Sequence, residues 1–222
     1  METLSSDDHT AYHTNAKVFN GNMEKHEIKE YYSKWAHQYE KDLAPGRYNG
    51  PMMAAETCSH CFNETDRQNV RILDVAAGTG TVGEQLYKKG FNDIHALDPS
   101  EGMLEVAKSK NIYTRFLCEY LSEEKLPVED GYYNCVTSSG GMGDGHIPCE
   151  ALYEIIRIVK PGGCVVIVMR EEYIYNVPEY KDRLEPLMDK LEAAGKWTKV
   201  ERRVVPNYAF KKSGLIFVYK VL

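Results

Sequence analysis

The sequence predicts an α/β fold: a seven-stranded, mostly parallel sheet sandwiched between two helical layers and ending in an antiparallel hairpin. Three observations predict it. Apolar, β-branched runs alternate with amphipathic helical stretches over residues 71–169, the order that βαβ units produce. The stretch Ile72-Leu73-Asp74-Val75-Ala76-Ala77-Gly78-Thr79-Gly80-Thr81-Val82-Gly83 runs from an apolar strand through glycines into a helix. Such a turn brings backbone close to a ligand and presents the free N–H groups of a helix N-terminus. The last two β-rich runs, 199–205 and 215–221, are separated by Lys211-Lys212-Ser213-Gly214 with no helix between them, so they read as a hairpin.

In order, residues 1–27 are polar and aperiodic, which predicts a flexible segment or loose cover. From there to residue 222 the chain reads as one domain. Ile28, Tyr31, Tyr32, Trp35, Tyr39 and Leu43 recur at helical spacing, and Pro51 opens a short helix after the turn-rich Pro45-Gly46-Arg47-Tyr48-Asn49-Gly50. These two helices make an N-terminal helical unit, 28–60. Arg47, the nearest cation to it, either pairs with a carboxylate of the ligand or is solvated, the second being the preferred reading. Strand 71–75 is followed by helix 81–89, stopped by Gly90. Strand 92–97 ends at Asp98. Pro99 follows, then a helix capped by Ser100 with Met103, Leu104 and Ala107 inward. Strands 113–118 and 132–137 come next, then the glycine-rich loop 138–148. A helix with Leu152, Ile155, Ile156 and Val159 on its apolar face ends at Lys160-Pro161-Gly162-Gly163, before a buried strand 164–169. Pro178 is expected to open a helix that breaks near Glu185, before Pro186, and resumes to Ala194, where Gly195 caps it.

The totals exclude several classes. Net charge is −6, which argues against sequence-independent nucleic-acid binding through Lys and Arg. No apolar run approaches the roughly 18 residues of a membrane span. The N-terminus lacks a secretory signal pattern, so the expected location is cytoplasmic. Of the six cysteines, Cys58 and Cys61 form a C-x-x-C on a helix with no second pair at zinc spacing, and no metal site is expected. The sequence carries no signal for an oligomeric state.

Gly78, Gly80 and Gly83 satisfy the dinucleotide pattern G-x-G-x-x-G, but Asp74 inside the strand disfavours a pyrophosphate and favours a ligand with a cation, such as S-adenosylmethionine. Asp98, at the tip of the next strand, suits both ribose hydroxyls. Here the chain resembles the class I S-adenosylmethionine-dependent methyltransferases, over residues 31–222. The resemblance rests on the first motif, on Lys160-Pro161-Gly162-Gly163 before its strand, and on the terminal hairpin. It is strongest to the methyltransferase-like protein 27 family of the Williams–Beuren syndrome chromosomal region. The telling segments there are Asp144-Gly145-His146-Ile147-Pro148-Cys149 and Leu191-Glu192-Ala193-Ala194-Gly195-Lys196-Trp197.

The resemblance implies a Rossmann-like three-layer sandwich that uses S-adenosylmethionine. Tyr32-Ser33-Lys34-Trp35-Ala36-His37-Gln38-Tyr39 is similar to the family's lid segment, which implies cofactor contacts from Tyr31, Trp35 and Tyr39. Glu119 and Tyr120 stand where the family reads the adenine. With Asp74, Ala76, Gly78, Gly80, Asp98, Pro99, Met103 and Ser138, these are the expected cofactor residues. Asp144 and His146, in the loop that the methyl group should face, are the candidate catalytic pair. Arg170, Glu171 and Glu172 are candidates for lining the acceptor pocket. The expected activity is methyl transfer to nitrogen or oxygen of a small molecule. The rivals are a protein methyltransferase acting on basic peptides, a non-catalytic cofactor-binding module and an NAD-dependent dehydrogenase.

Overall fold

A computed structural model describes residues 6–19 and 23–222. Seven strands form one sheet: β1 (Arg71–Val75), β2 (Asp93–Leu97), β3 (Arg115–Leu117), β4 (Tyr133–Ser139), β5 (Val159–Arg170), β6 (Trp197–Ala209) and β7 (Lys212–Val221). Their order is β3-β2-β1-β4-β5-β7-β6. The first five run parallel, and the hairpin adds β7 antiparallel to β5 and β6 antiparallel to β7.

Alternation along the strands divides the core into two layers. Ile72, Ile94, Ala96, Cys135 and Val166 pack under α3 (Gly50–His60), α4 (Thr81–Lys88) and α5 (Glu101–Ser109), through Ala54, Leu86 and Leu104. Leu73, Val75, Leu97, Val136 and Ile167 pack on the other face against α6 (Ala151–Ile158) and α8 (Leu184–Ala193), through Ile155 and Met188. Strand order reverses between β1 and β4, so the crevice at their carboxyl ends is the expected ligand position.

Several elements differ from expectation. Residues 6–16 form a helix, α1 (Ser6–Ala16), which buries Ala11 and sets Tyr12 edge-on to Phe210 at 5.4 Å between centroids. This part of the N-terminal segment is a cover built on the hairpin, and its cue was tertiary. Residues 1–5 and 20–22 of the expected flexible segment lie outside the described residues. The aromatic helix α2 (Lys25–Asp42) begins three residues before Ile28, fixed by reciprocal capping between Glu24 and Glu27. No helix opens at Pro178. A single turn, α7 (Tyr173–Asn176), precedes it, and α8 carries Pro186 in its first turn, where a missing N–H costs nothing. The hairpin is longer than expected and turns at Phe210 and Lys211, both at positive φ. Cys58 lies in α3 with its sulfur 3.9 Å from that of Cys135, and all six cysteines are free. Among the described residues no helix is long and apolar enough to cross a membrane, and no group of His, Cys, Asp and Glu forms a metal-holding cluster.

Candidate active site

A cavity lies beyond the carboxyl ends of β1, β2 and β4, the place where open α/β sheets bind their ligands. Its floor is the turn after β1. Ala76 and Gly78 both take positive φ and line the cavity, and a side chain on Gly78 would project into open space. The other two motif glycines serve a different purpose. A Cβ on Gly80 or Gly83 would meet the Tyr113 ring at 2.8 or 2.3 Å. Those glycines admit Tyr113, and Gly80 does not reach the cavity.

Asp74 does not reach it either. It is fully buried, and its Oδ2 accepts from the Tyr113 hydroxyl at 2.6 Å. That hydroxyl in turn accepts from the Gly83 N–H at 3.2 Å. Asp74 therefore fixes the start of α4 through Tyr113, rather than facing a ligand cation as expected from sequence. Burial pushes its carboxyl up to about 7, against the lowering effect of the Tyr113 hydrogen bond.

Asp98 is where expected, at the tip of β2 and on the cavity wall. Its two oxygens accept from the Gly78 N–H at 2.8 Å and the Ser100 N–H at 2.9 Å, tying the two strand tips together. Each oxygen keeps a lone pair for a ligand hydroxyl. Burial pushes this carboxyl up to about 6. Ser100 caps α5 through the Met103 N–H at 3.2 Å, and Pro99 and Met103 line the wall. Past β3, Tyr120 and Leu121 line the cavity, whereas Glu119 is exposed and does not.

Helix α2 forms the roof. Ile28, Tyr32 and Tyr39, spaced four and seven residues apart, share its inward face. Tyr31 and Trp35, expected to touch cofactor, stand off the cavity. The Tyr31 hydroxyl donates to the Thr14 carbonyl of α1 at 2.9 Å. Trp35 backs the rings of Tyr32 and Tyr39 and donates to Asp42 at 2.7 Å. The roof sits on α5, where Ser33 and Ser100 hydroxyls meet at 2.7 Å and Gly102 leaves room for the Ser33 backbone.

The loop after β4 closes the remaining side. Strand β4 runs two residues further than expected, so Ser139 lines the cavity. Ser138 Oγ is instead buried, without a hydrogen-bond partner among the described residues. The loop is held by Tyr180, whose hydroxyl accepts from the Gly143 N–H at 2.8 Å and donates to the Ile147 carbonyl at 2.7 Å. His146 lines the cavity. Its Nδ1 lies 2.7 Å from the Asp144 carbonyl, which can only accept, so Nδ1 carries the proton and Nε2 is the acceptor. Nε2 receives the Tyr32 hydroxyl at 3.1 Å. Burial lowers the pKa of this imidazole, with the Asp144 carbonyl hydrogen bond and the Asp144 charge opposing. The Asp144 side chain lines a separate surface groove with Glu172 and Tyr173. The expected catalytic pair is thus not hydrogen bonded side chain to side chain: Asp144 acts on His146 through its carbonyl and, to a smaller degree, through the charge of its carboxylate.

A second chamber adjoins the first and shares Tyr32, Tyr39 and Gly140 with it. Tyr48, Tyr173 and Tyr208 add further ring walls, and Arg170 lies among them. The Tyr48 hydroxyl bonds Ser139 at 2.9 Å, and the backbones of Tyr48 and Ala209 form a β-bridge. Sequence reading identified Tyr39, Ala76, Gly78, Asp98, Pro99, Met103, Tyr120 and His146 as site residues that do line the cavity. It missed Tyr32, Leu121, Ser139 and the whole Tyr48–Tyr208 wall. Tyr32 could have been found by extending the helical spacing from Tyr39 back by seven. Tyr208 carries no local signal.

The cavity suits S-adenosylmethionine: a carboxylate stands at the strand tip for a sugar diol, Met103 and Leu121 offer apolar walls for a base, and Gly78 leaves open space. Comparison with known proteins agrees. Residues 72–163 match the model of a methyltransferase domain. Human methyltransferase-like protein 27 is 36% identical over 167 residues, covering 75% of this chain and 66% of its own length. The demethylmenaquinone methyltransferase of Renibacterium salmoninarum is 41% identical over 97 residues, 44% of this chain and 40% of its own. The chain thus spans less than half of this quinone enzyme and about 66% of the human relative. Among solved structures, the 1,6-didemethyltoxoflavin-N1-methyltransferase of Burkholderia thailandensis, with bound substrate and S-adenosylhomocysteine, superposes with TM-score 0.60. It is 16% identical and the match covers 100% of this chain and 92% of that one. The complex of the Haloferax volcanii Trm112 activator with a methyltransferase gives TM-score 0.64 at 17% identity, over 86% and 97%. At such identity these structures speak to the fold. Residues 72–163 thus carry a methyltransferase domain, and the chain is similar to methyltransferase-like protein 27 and has the fold of the S-adenosylmethionine-dependent methyltransferases.

Proposed function

We propose that the chain methylates nitrogen or oxygen of a small molecule held between the two chambers. The observation that carries this reading is His146 Nε2 at the cavity wall, locked as an acceptor by the Asp144 carbonyl. Bound S-adenosylmethionine supplies an electrophilic methyl group on a sulfonium, so the protein's tasks are alignment and exclusion of water. Asp98 would hold the ribose hydroxyls and Met103 and Leu121 the adenine, under the roof of α2. An amine or alcohol acceptor must shed a proton on reacting. Tyr32 faces both chambers and hydrogen bonds His146. The acceptor's proton passes to the Tyr32 oxygen as the Tyr32 proton passes to Nε2. Burial keeps the imidazole neutral, and so basic, at neutral pH. The enclosing tyrosine walls favour a small molecule over a peptide side chain. A labelled-methyl screen across amines, phenols, quinols and histone-like peptides tests the reading. Label on a small amine or phenol is expected; label only on peptides, or only on carbon, overturns it.

A further inference from the structure

The second chamber has an electrostatic character that the methyl-transfer chemistry leaves unused. Arg170 closes strand β5 and is only 7% exposed. A guanidinium removed from water to that degree needs a counter-charge or a full set of acceptors. Among the described residues its one hydrogen bond is Nη1 to Glu172 Oε1, at a long 3.3 Å. Glu172 is already committed, since Lys212 Nζ holds both of its oxygens at 2.8 Å. Lys212 and Glu172 balance each other, and the Arg170 charge is left over.

The chamber wall adds the Tyr173 ring, its centroid 5.5 Å from Arg170 Cζ, which faces the guanidinium but carries no net charge. Its described lining contains no carboxylate, and Arg170 is the only group there that is charged at neutral pH. The surrounding tyrosines are uncharged donors: burial raises the hydroxyls of Tyr39, Tyr48 and Tyr208 above their ordinary value. Rings alone could cage an ammonium group, but a cation placed here would face an unbalanced guanidinium across a poorly screened space. Free N–H donors in a planar fork, ringed by hydroxyl donors, match an anionic oxygen group.

We propose that this chamber selects acceptors carrying a carboxylate, which docks on Arg170 while the reacting nitrogen or oxygen faces Tyr32 and His146. Flat, aromatic acids suit it best, because the walls between Arg170 and Tyr32 are tyrosine rings. The proposal rests on the small-molecule reading above.

The test uses protein loaded with S-adenosylhomocysteine and calorimetric titration of 4-hydroxybenzoate, 4-aminobenzoate and indole-3-acetate, each beside its primary amide. At least one acid should bind tenfold or more tighter than its amide. Arg170→Met should erase that difference and Arg170→Lys should restore part of it. Unchanged S-adenosylhomocysteine affinity in both variants shows that they fold and that the cofactor site is intact. Glu172→Gln, which removes the competing acceptor, should tighten the acid further. A panel in which no acid outbinds its amide overturns the proposal. So does an Arg170→Met variant that weakens S-adenosylhomocysteine tenfold, since the guanidinium would then serve the cofactor's own carboxylate. Failure of the underlying reading looks different: labelled methyl appears on peptides or carbon only, whatever the acids do in titration.

Discussion

The two chambers are built by opposite means. The first takes its floor from consecutive residues: Ala76 and Gly78 in one turn, Asp98 and Pro99 in the next, each at the end of a parallel strand. Its polar contacts are largely backbone N–H groups fixed on Asp98. The second takes its walls from the roof helix, the turn before α3, the end of β5 and the hairpin: Tyr39, Tyr48, Arg170 and Tyr208. Its contacts are side chains from distant segments. Such a division lets one sheet keep its cofactor while the acceptor changes, since the second set of residues can vary without touching the strand tips.

The largest expected effect separates chemistry from binding. His146→Ala should lower turnover by about 10²–10⁴, the span for a lost general base, with cofactor affinity unchanged. In wild type the neutral imidazole is the active form, so turnover should rise with pH and level off below the ordinary histidine value, because burial lowers this pKa. His146→Ala should lose that limb. Tyr32→Phe combined with His146→Ala should cost little more than the worse single change, since both lie on one proton path. Full additivity would break the relay.

Next comes the first chamber. Asp98→Asn removes the charge that serves the ribose and should cost about 1.5–3 kcal/mol of cofactor binding, read by calorimetry. An unchanged affinity would place the ribose elsewhere. Tyr113→Phe leaves the Gly83 N–H and the Asp74 carboxyl without their shared partner. It should cost about 1–3 kcal/mol in chemical denaturation, with cofactor binding reduced only through the loosened turn. Asp74 and Asp98 both have folded pKa values raised above the ordinary carboxyl value, so the folded state holds protons that the unfolded chain has released. Stability of the cofactor-free protein should therefore fall as pH rises from about 4 to about 7. Asp74→Asn should flatten that fall.

The smallest effect tests the role of Asp144. Its carbonyl orients His146, whereas its side chain points to another groove. Asp144→Asn should change turnover by no more than about twofold, because the backbone acceptor survives the substitution. A loss as large as that of His146→Ala would return the carboxylate to the chemistry.

By itself the sequence determined the sheet, its switch point and the cofactor floor, because strand alternation, helix caps and glycine turns are properties of neighbouring residues. Arg71–Val75, the Ser100 cap and Asp98 are legible for that reason. Three decisions were tertiary. A motif carboxylate, Asp74, faces Tyr113 and not the ligand, because strand alternation points Val75 into the cavity and Asp74 away from it. On the roof helix, Tyr32 faces the site and Tyr31 does not, because α1 claims the neighbouring face. The second chamber exists only once the hairpin folds back so that Tyr208 meets Tyr48, 160 residues apart in the chain. Contacts across such separations leave no periodic trace in a sequence, so only packing reveals them.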